Sequence, residues 1–134
     1  MEKIPYMKEQ AVKENYVKLL VEKLGDSNRL HFSPAALTSG IIVARKATPQ
    51  YTAKSHEEIE RVYIVGVPAS EKQSEQRGIG IMMNSQKSQL YQTLIKNYGF
   101  RKVESHFGIP LLKSLDTTEE LVAELKNLEA LVFP

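Results

Sequence analysis

Residues 60–83 read ERVYIVGVPASEKQSEQRGIGIMM, and residues 84–100 continue NSQKSQLYQTLIKNYGF. In the first run Arg61, Tyr63, Val65 and Val67 alternate with Val62, Ile64 and Gly66 until Pro68. A period of two puts successive side chains on opposite faces of a strand. Residues 69–77, rich in Glu, Lys, Gln and Ser, read as a solvated loop, and residues 79–83 as a second strand. Asn84 and Ser85 suit a helix cap better than a helix interior. A helix is therefore expected from Ser85, striped by Leu90, Tyr91, Leu94, Ile95 and Tyr98 and closed by Gly99.

Upstream of this frame, Val12, Tyr16, Leu19, Leu20 and Leu24 recur at three- and four-residue steps, which predicts an amphipathic helix over residues 7–24. Glu9 with Lys13 and Glu14 with Lys18 are i,i+4 pairs on it, and Gly25 follows its end. Residues 29–33 read as a short strand stopped by Pro34, and residues 40–45 as a β-branched strand covered on both faces. Residues 47–58 show no periodicity and form a long connection. Downstream, residues 100–107 alternate with charge as a half-exposed strand. Leu111 and Leu112, beyond the breakers Gly108 and Pro110, read as an irregular packed segment. Thr117 and Glu120 make a capping box ahead of Leu121, Leu125, Leu128 and Val132, which announces a last helix. The expectation is a single α+β domain, residues 1–134, with an antiparallel or mixed sheet of about four to five strands and three main helices.

Composition narrows the class. At 134 residues with 42% apolar and 25% charged side chains, the chain is long and apolar enough to bury one core. It has no cysteine, which removes disulfides, thiolate chemistry and cysteine-held metals; no cofactor and no metal site are expected. His31, His56 and His106 show no ligand spacing. No stretch approaches the roughly 18 apolar residues of a membrane span, so a soluble, cytoplasmic protein is the expectation. Lys and Arg exceed Asp and Glu by 18 to 16, but the basic residues stand in doublets, Arg45-Lys46 and Arg101-Lys102, and not in a run. Such a balance permits an anionic partner without pointing to one.

Three places invite chemistry. Arg77-Gly78-Ile79-Gly80 stands between a strand and a helix, where glycines let backbone N–H groups approach a phosphate. With the helix that ends in Tyr98-Gly99-Phe100-Arg101-Lys102, this segment looks in part like the coenzyme A pyrophosphate segment of the GNAT acetyltransferases. That resemblance implies a cradle of Arg77, Gly78, Gly80 and the following amides, and acyl transfer to an amine. The position where that pattern has a second small residue is Met82 here. Next, Arg61 and Tyr63 share a strand face, Arg45 and Lys46 leave a neighbouring strand, and Lys102 and His106 share a face of a later one. Together they would compose a basic, aromatic-dotted sheet surface of the kind that binds nucleic acid. Finally, Tyr16 and Val17 on the first helix, and Leu131, Val132 and Phe133 at the end of the last, offer apolar surface for a partner protein or a second copy. The reading that asks least of special residues is a non-enzymatic binding or adaptor module, self-associating, with nucleic acid or protein as ligand. A coenzyme A-dependent acyltransferase is the alternative.

Overall fold

The computed structural model describes residues 2–26, 28–35, 40–46, 59–69, 71, 75–83, 88–103 and 111–133. Among them the order is α1 (Gln10–Leu24), β1 (Leu30–Pro34), β2 (Ile41–Arg45), β3 (Ile59–Val67), β4 (Gln76–Met83), α2 (Gln89–Tyr98), β5 (Arg101–Lys102), β6 (Leu111–Ser114) and α3 (Thr118–Val132). The strands form one sheet in the order β1-β2-β3-β4-β6-β5, and every neighbouring pair is antiparallel. The α+β class stands, with six described strands in place of the four to five expected.

The additional strand is β6. Leu111 and Leu112 have no sequence period to announce a strand, yet β6 lies between β4 and β5 and pairs with both. Leu111 sits opposite Ile81 and Lys102, Leu112 opposite Gly80 and Arg101, and both leucines are buried on opposite faces. Pairing on two sides supplies what local propensity lacked. Of the strand expected at residues 100–107, Arg101 and Lys102 are strand, Phe100 is buried in the core, and residues 104–107 lie outside the described residues.

Register sorts the side chains into two faces. Phe32, Val43, Ile41, Ile64, Ile79, Val62, Ile81 and Leu111 fall on one, all buried, and the three helices lie over it in a single apolar cluster. Helix α1 contributes Tyr16, Leu20 and Leu24; α2 contributes Tyr91 and Leu94; α3 contributes Leu121, Leu125, Leu128 and Val132. No described helix lies on the other face. There Ala44, Val65 and Leu112 are buried, and Ile42, Tyr63 and Met82 half-buried.

Helix ends follow local chemistry, with two shifts. The capping box of α3 closes as expected: the Glu120 N–H donates to Thr117 Oγ1 at 3.3 Å, and the Thr117 N–H to Glu120 Oε1 at 3.2 Å. Helix α2 begins later than Ser85, because Ser88 is the cap whose Oγ accepts the Tyr91 N–H at 3.0 Å. Helix α1 starts at Gln10 and not at residue 7: the chain up to Met7 is tied to the sheet, with the Met7 N–H donating to the Gly66 carbonyl at 2.9 Å. Lys13 is not paired with Glu9: it is 3% exposed, and its Nζ donates to the Ala35 carbonyl at 2.6 Å. Strand β4 begins at Gln76, where a loop was expected, because Gln76 and Arg77 pair with Val67 and Gly66.

Two residues blunt the outer edge of the sheet at β1. The Leu30 N–H, which faces away from β2, donates to Asn28 Oδ1 at 2.8 Å, while Asn28 Nδ2 donates to the Gly25 carbonyl at 2.7 Å. Pro34 has no N–H to offer a further strand. Asn28→Ala leaves the buried Leu30 N–H without its acceptor and the Gly25 carbonyl with only the longer bond, 3.4 Å, from the Asn28 backbone N–H, and is expected to cost about 1–2 kcal/mol. Asn28→Asp keeps the acceptor for Leu30 and should cost less. Equal losses in urea denaturation of the two variants would show that the Leu30 bond is not what Asn28 contributes.

Candidate functional site

The residues ahead of α1 are part of the fold. Ile4 and Met7 are fully buried, and burial of a large apolar side chain contributes about 1.5–3 kcal/mol, enough to hold a short extended segment in place. Lys3 bridges antiparallel to Thr117, with the Ile4 N–H donating to the Asp116 carbonyl at 2.9 Å and the Thr118 N–H to the Glu2 carbonyl at 2.8 Å. Arg77 clamps the segment from β4. Its Nε donates to the Ile4 carbonyl at 2.8 Å, its guanidinium lies 4.4 Å from the centre of the Tyr6 ring and pairs with Glu75, and the Tyr6 hydroxyl donates to Glu75 Oε2 at 3.0 Å.

Two concavities border this segment among the described residues. A cleft of about 300 Å³ is lined by Glu75, Arg77, Ser114, Leu115, Asp116 and Glu120. Three carboxylates face one guanidinium there, and that cation is already engaged by Glu75, so the cleft holds the N-terminal segment and is not prepared for an anion. No group of three or more metal-ligating side chains gathers among the described residues. The second concavity, a groove of about 400 Å³, lies between the N-terminal segment and α1. Pro5, Val12, Tyr16 and Leu19 supply its apolar lining, and the exposed Glu2, Lys3 and Asn15 its polar margin.

Tyr16 ties the groove to α3. Its hydroxyl shares a 2.9 Å hydrogen bond with Thr118 Oγ1, and burial pushes its pKa up to about 12, with smaller contributions from the nearby carboxylates of Glu2 and Glu119 acting against the Thr118 bond. A phenol whose pKa is higher in the folded state favours folding while it stays protonated. Its contribution is complete below pH 10, the ordinary tyrosine value, and is lost as pH rises towards about 12. Unfolding followed at a series of alkaline pH values should show this decline in the parent protein and a weaker one in Tyr16→Phe. Identical pH profiles would contradict the assignment.

The residues expected to bind are distributed differently from the expectation. Arg61 and Tyr63 do share a face, the one away from the helices: Tyr63 stands in a transverse row that runs Ile42, Tyr63, Gly80, Leu112, Arg101, and Arg61 stands opposite Met82. Arg45 and Lys102, however, fall on the helix side of the sheet by register, and Arg77 is spent on the N-terminal segment. Lys46 is exposed just past β2, and His106 lies outside the described residues. The basic residues therefore do not gather on one sheet surface. Gly78 and Gly80 lie inside β4, opposite Val65 and Tyr63 on one side and Ser114 and Leu112 on the other. Helix α2 starts well beyond them at Gln89, so these glycines do not form a turn at a helix N-terminus, and a strand paired on both sides lacks the row of free amides that a pyrophosphate cradle needs. Val132 and Phe133, expected to serve a partner, are buried in the core.

Sequence reasoning missed the N-terminal segment and the groove beside it. The available signal was the pair Ile4 and Met7, two large apolar residues flanking Pro5 ahead of a helix. No protein-family model matches the chain, and neither the curated proteins nor the solved structures provide a match. No described helix is long and apolar enough to cross a membrane.

Proposed function

We propose that the chain is a non-enzymatic binding module that holds a protein partner at the groove between its N-terminal segment and α1. The observation that carries this reading is the make-up of the groove: half-exposed Pro5, Val12 and Leu19 surrounded by Glu2, Lys3 and Asn15. An apolar centre with a polar margin is the anatomy of a protein interface. Its volume, at the lower end of the roughly 300–1,000 Å³ of small-molecule sites, suits one or two anchoring side chains. Tyr16, in its wall, has a pKa displaced upward by burial, and that displacement keeps the phenol protonated and hydrogen-bonded to Thr118, which is structural work.

The test places a photocrosslinking residue at Asn15 in cells, with Lys126, exposed on α3, as the control position. A discrete adduct from position 15 that is absent from position 126, and that disappears on Leu19→Asp, is the expected result. The same adducts from both positions, or none from position 15, would refute the reading.

A further inference from the structure

We infer that the occupant of this groove is an extended peptide segment that pairs with the free edge at Lys3, seats an apolar side chain on Val12 and Leu19, and places a basic side chain beside Glu2 and Glu119. This rests on the reading above and adds to it the conformation and charge of the partner. The first support is the geometry of the bridge. The two bonds that flank the Lys3–Thr117 pair run through Ile4, Glu2, Asp116 and Thr118. In that antiparallel pattern the N–H and C=O of Lys3 itself point away from Thr117, and no bond to either group is formed among the described residues. A short extended segment with one side unpaired is where an added strand gains main-chain hydrogen bonds.

The second support is charge complementarity. Glu2 and Glu119 are exposed, both lie near enough to raise the pKa of the Tyr16 hydroxyl, and neither is held in an ion pair among the described residues. Among the described residues Lys3 is the one cation in the lining, where it offsets Glu2, and Glu119 adds a second carboxylate just beyond it. The Tyr16 end is thus negative on balance and favours a lysine or arginine of the partner. A partner helix laid over the groove fits less well, because its apolar face would bury the Lys3 N–H and C=O without giving them partners.

The probe is a blocked seven-residue peptide of alternating valine and lysine, titrated into the isotopically labelled full chain and followed by NMR. Shifts of the Lys3 amide and of the Val12 and Leu19 methyls are expected. The same peptide N-methylated at alternate amides should bind about tenfold more weakly or worse, as should the parent peptide to Lys3→Pro. That substitution removes an unbonded N–H together with the lysine side chain; loss of that charge by itself would favour a basic peptide, so weaker binding reports the N–H, and the thermal midpoint should not move. An alternating valine and glutamate peptide should also bind more weakly. Binding of the N-methylated peptide as tight as that of the parent, or of the glutamate peptide as tight as that of the lysine peptide, would overturn the inference. Should indole, a small apolar probe, shift the Val12 and Leu19 methyls while neither peptide does, the extended-peptide inference fails and the groove reading stands. Should nothing shift them, both fail. A dependence of these signals on the concentration of the protein alone would make the occupant a second copy and likewise overturn the inference.

Discussion

Gly78→Ala is expected to destabilise the fold by about 4 kcal/mol, the sum of about 1–3 kcal/mol of backbone strain and a comparable cost of overpacking. Gly78 has a φ of 140°, in the region that L side chains rarely adopt, and a methyl group there would fall on the Lys113 carbonyl oxygen and 2.9 Å from the Leu115 nitrogen. The neighbours cannot yield easily. Both belong to the β6 backbone or its exit, and the Leu115 N–H is fixed by a 2.9 Å bond to the Arg77 carbonyl. A loss of that size is a large part of the 5–15 kcal/mol by which domains are ordinarily stable, and the thermal midpoint should fall by more than about 10 °C. Gly25→Ala provides the comparison: its φ of 80° is also unfavourable, but a methyl there meets nothing within 4 Å. It should cost about 1 kcal/mol. Were the two variants to melt together, close approach of β4 and β6 would not be the reason for Gly78.

Lys113→Met is expected to cost about 3 kcal/mol, more than its surface position on the sequence suggests. Lys113 projects from β6 beneath the helices, and its Nζ lies 2.8 Å from Glu124 Oε2 on α3. The Glu124 side chain is 9% exposed, and its other oxygen, Oε1, is buried with no hydrogen-bond partner. Removing the lysine leaves a carboxylate in the interior with nothing opposite it, the most costly way to break a buried pair. The double variant Lys113→Met with Glu124→Leu removes both charges and should recover most of the loss, since apolar replacements of similar volume are often neutral or better. Urea denaturation of the parent, both single variants and the double variant tests this. Losses that simply add would show that the two residues are not coupled.

How much of this was legible differs from residue to residue. The stripe of Tyr16, Leu20 and Leu24, the alternation of Val62 and Ile64 against Tyr63 and Val65, and the box of Thr117 and Glu120 are set by neighbours within a few positions, and each appears in the structure as read. Nothing local marks Lys113 and Glu124 as a pair, since no neighbouring residue shows that a strand and a helix will enclose them. Arg77 was singled out as a phosphate ligand because it precedes two glycines, but its partner is a carbonyl 73 positions away.

The amino-acid sequence by itself determined the three helices, the two central strands and the α+β class, because periodicity and capping act over one or two turns of chain and need no distant partner. Only the tertiary structure decided that Leu111–Ser114 is a strand, that Arg77 closes over the N-terminal segment, and that a groove opens beside α1. Each of these depends on which remote backbone comes within hydrogen-bonding distance, a matter of how the whole core packs and not of any stretch read alone.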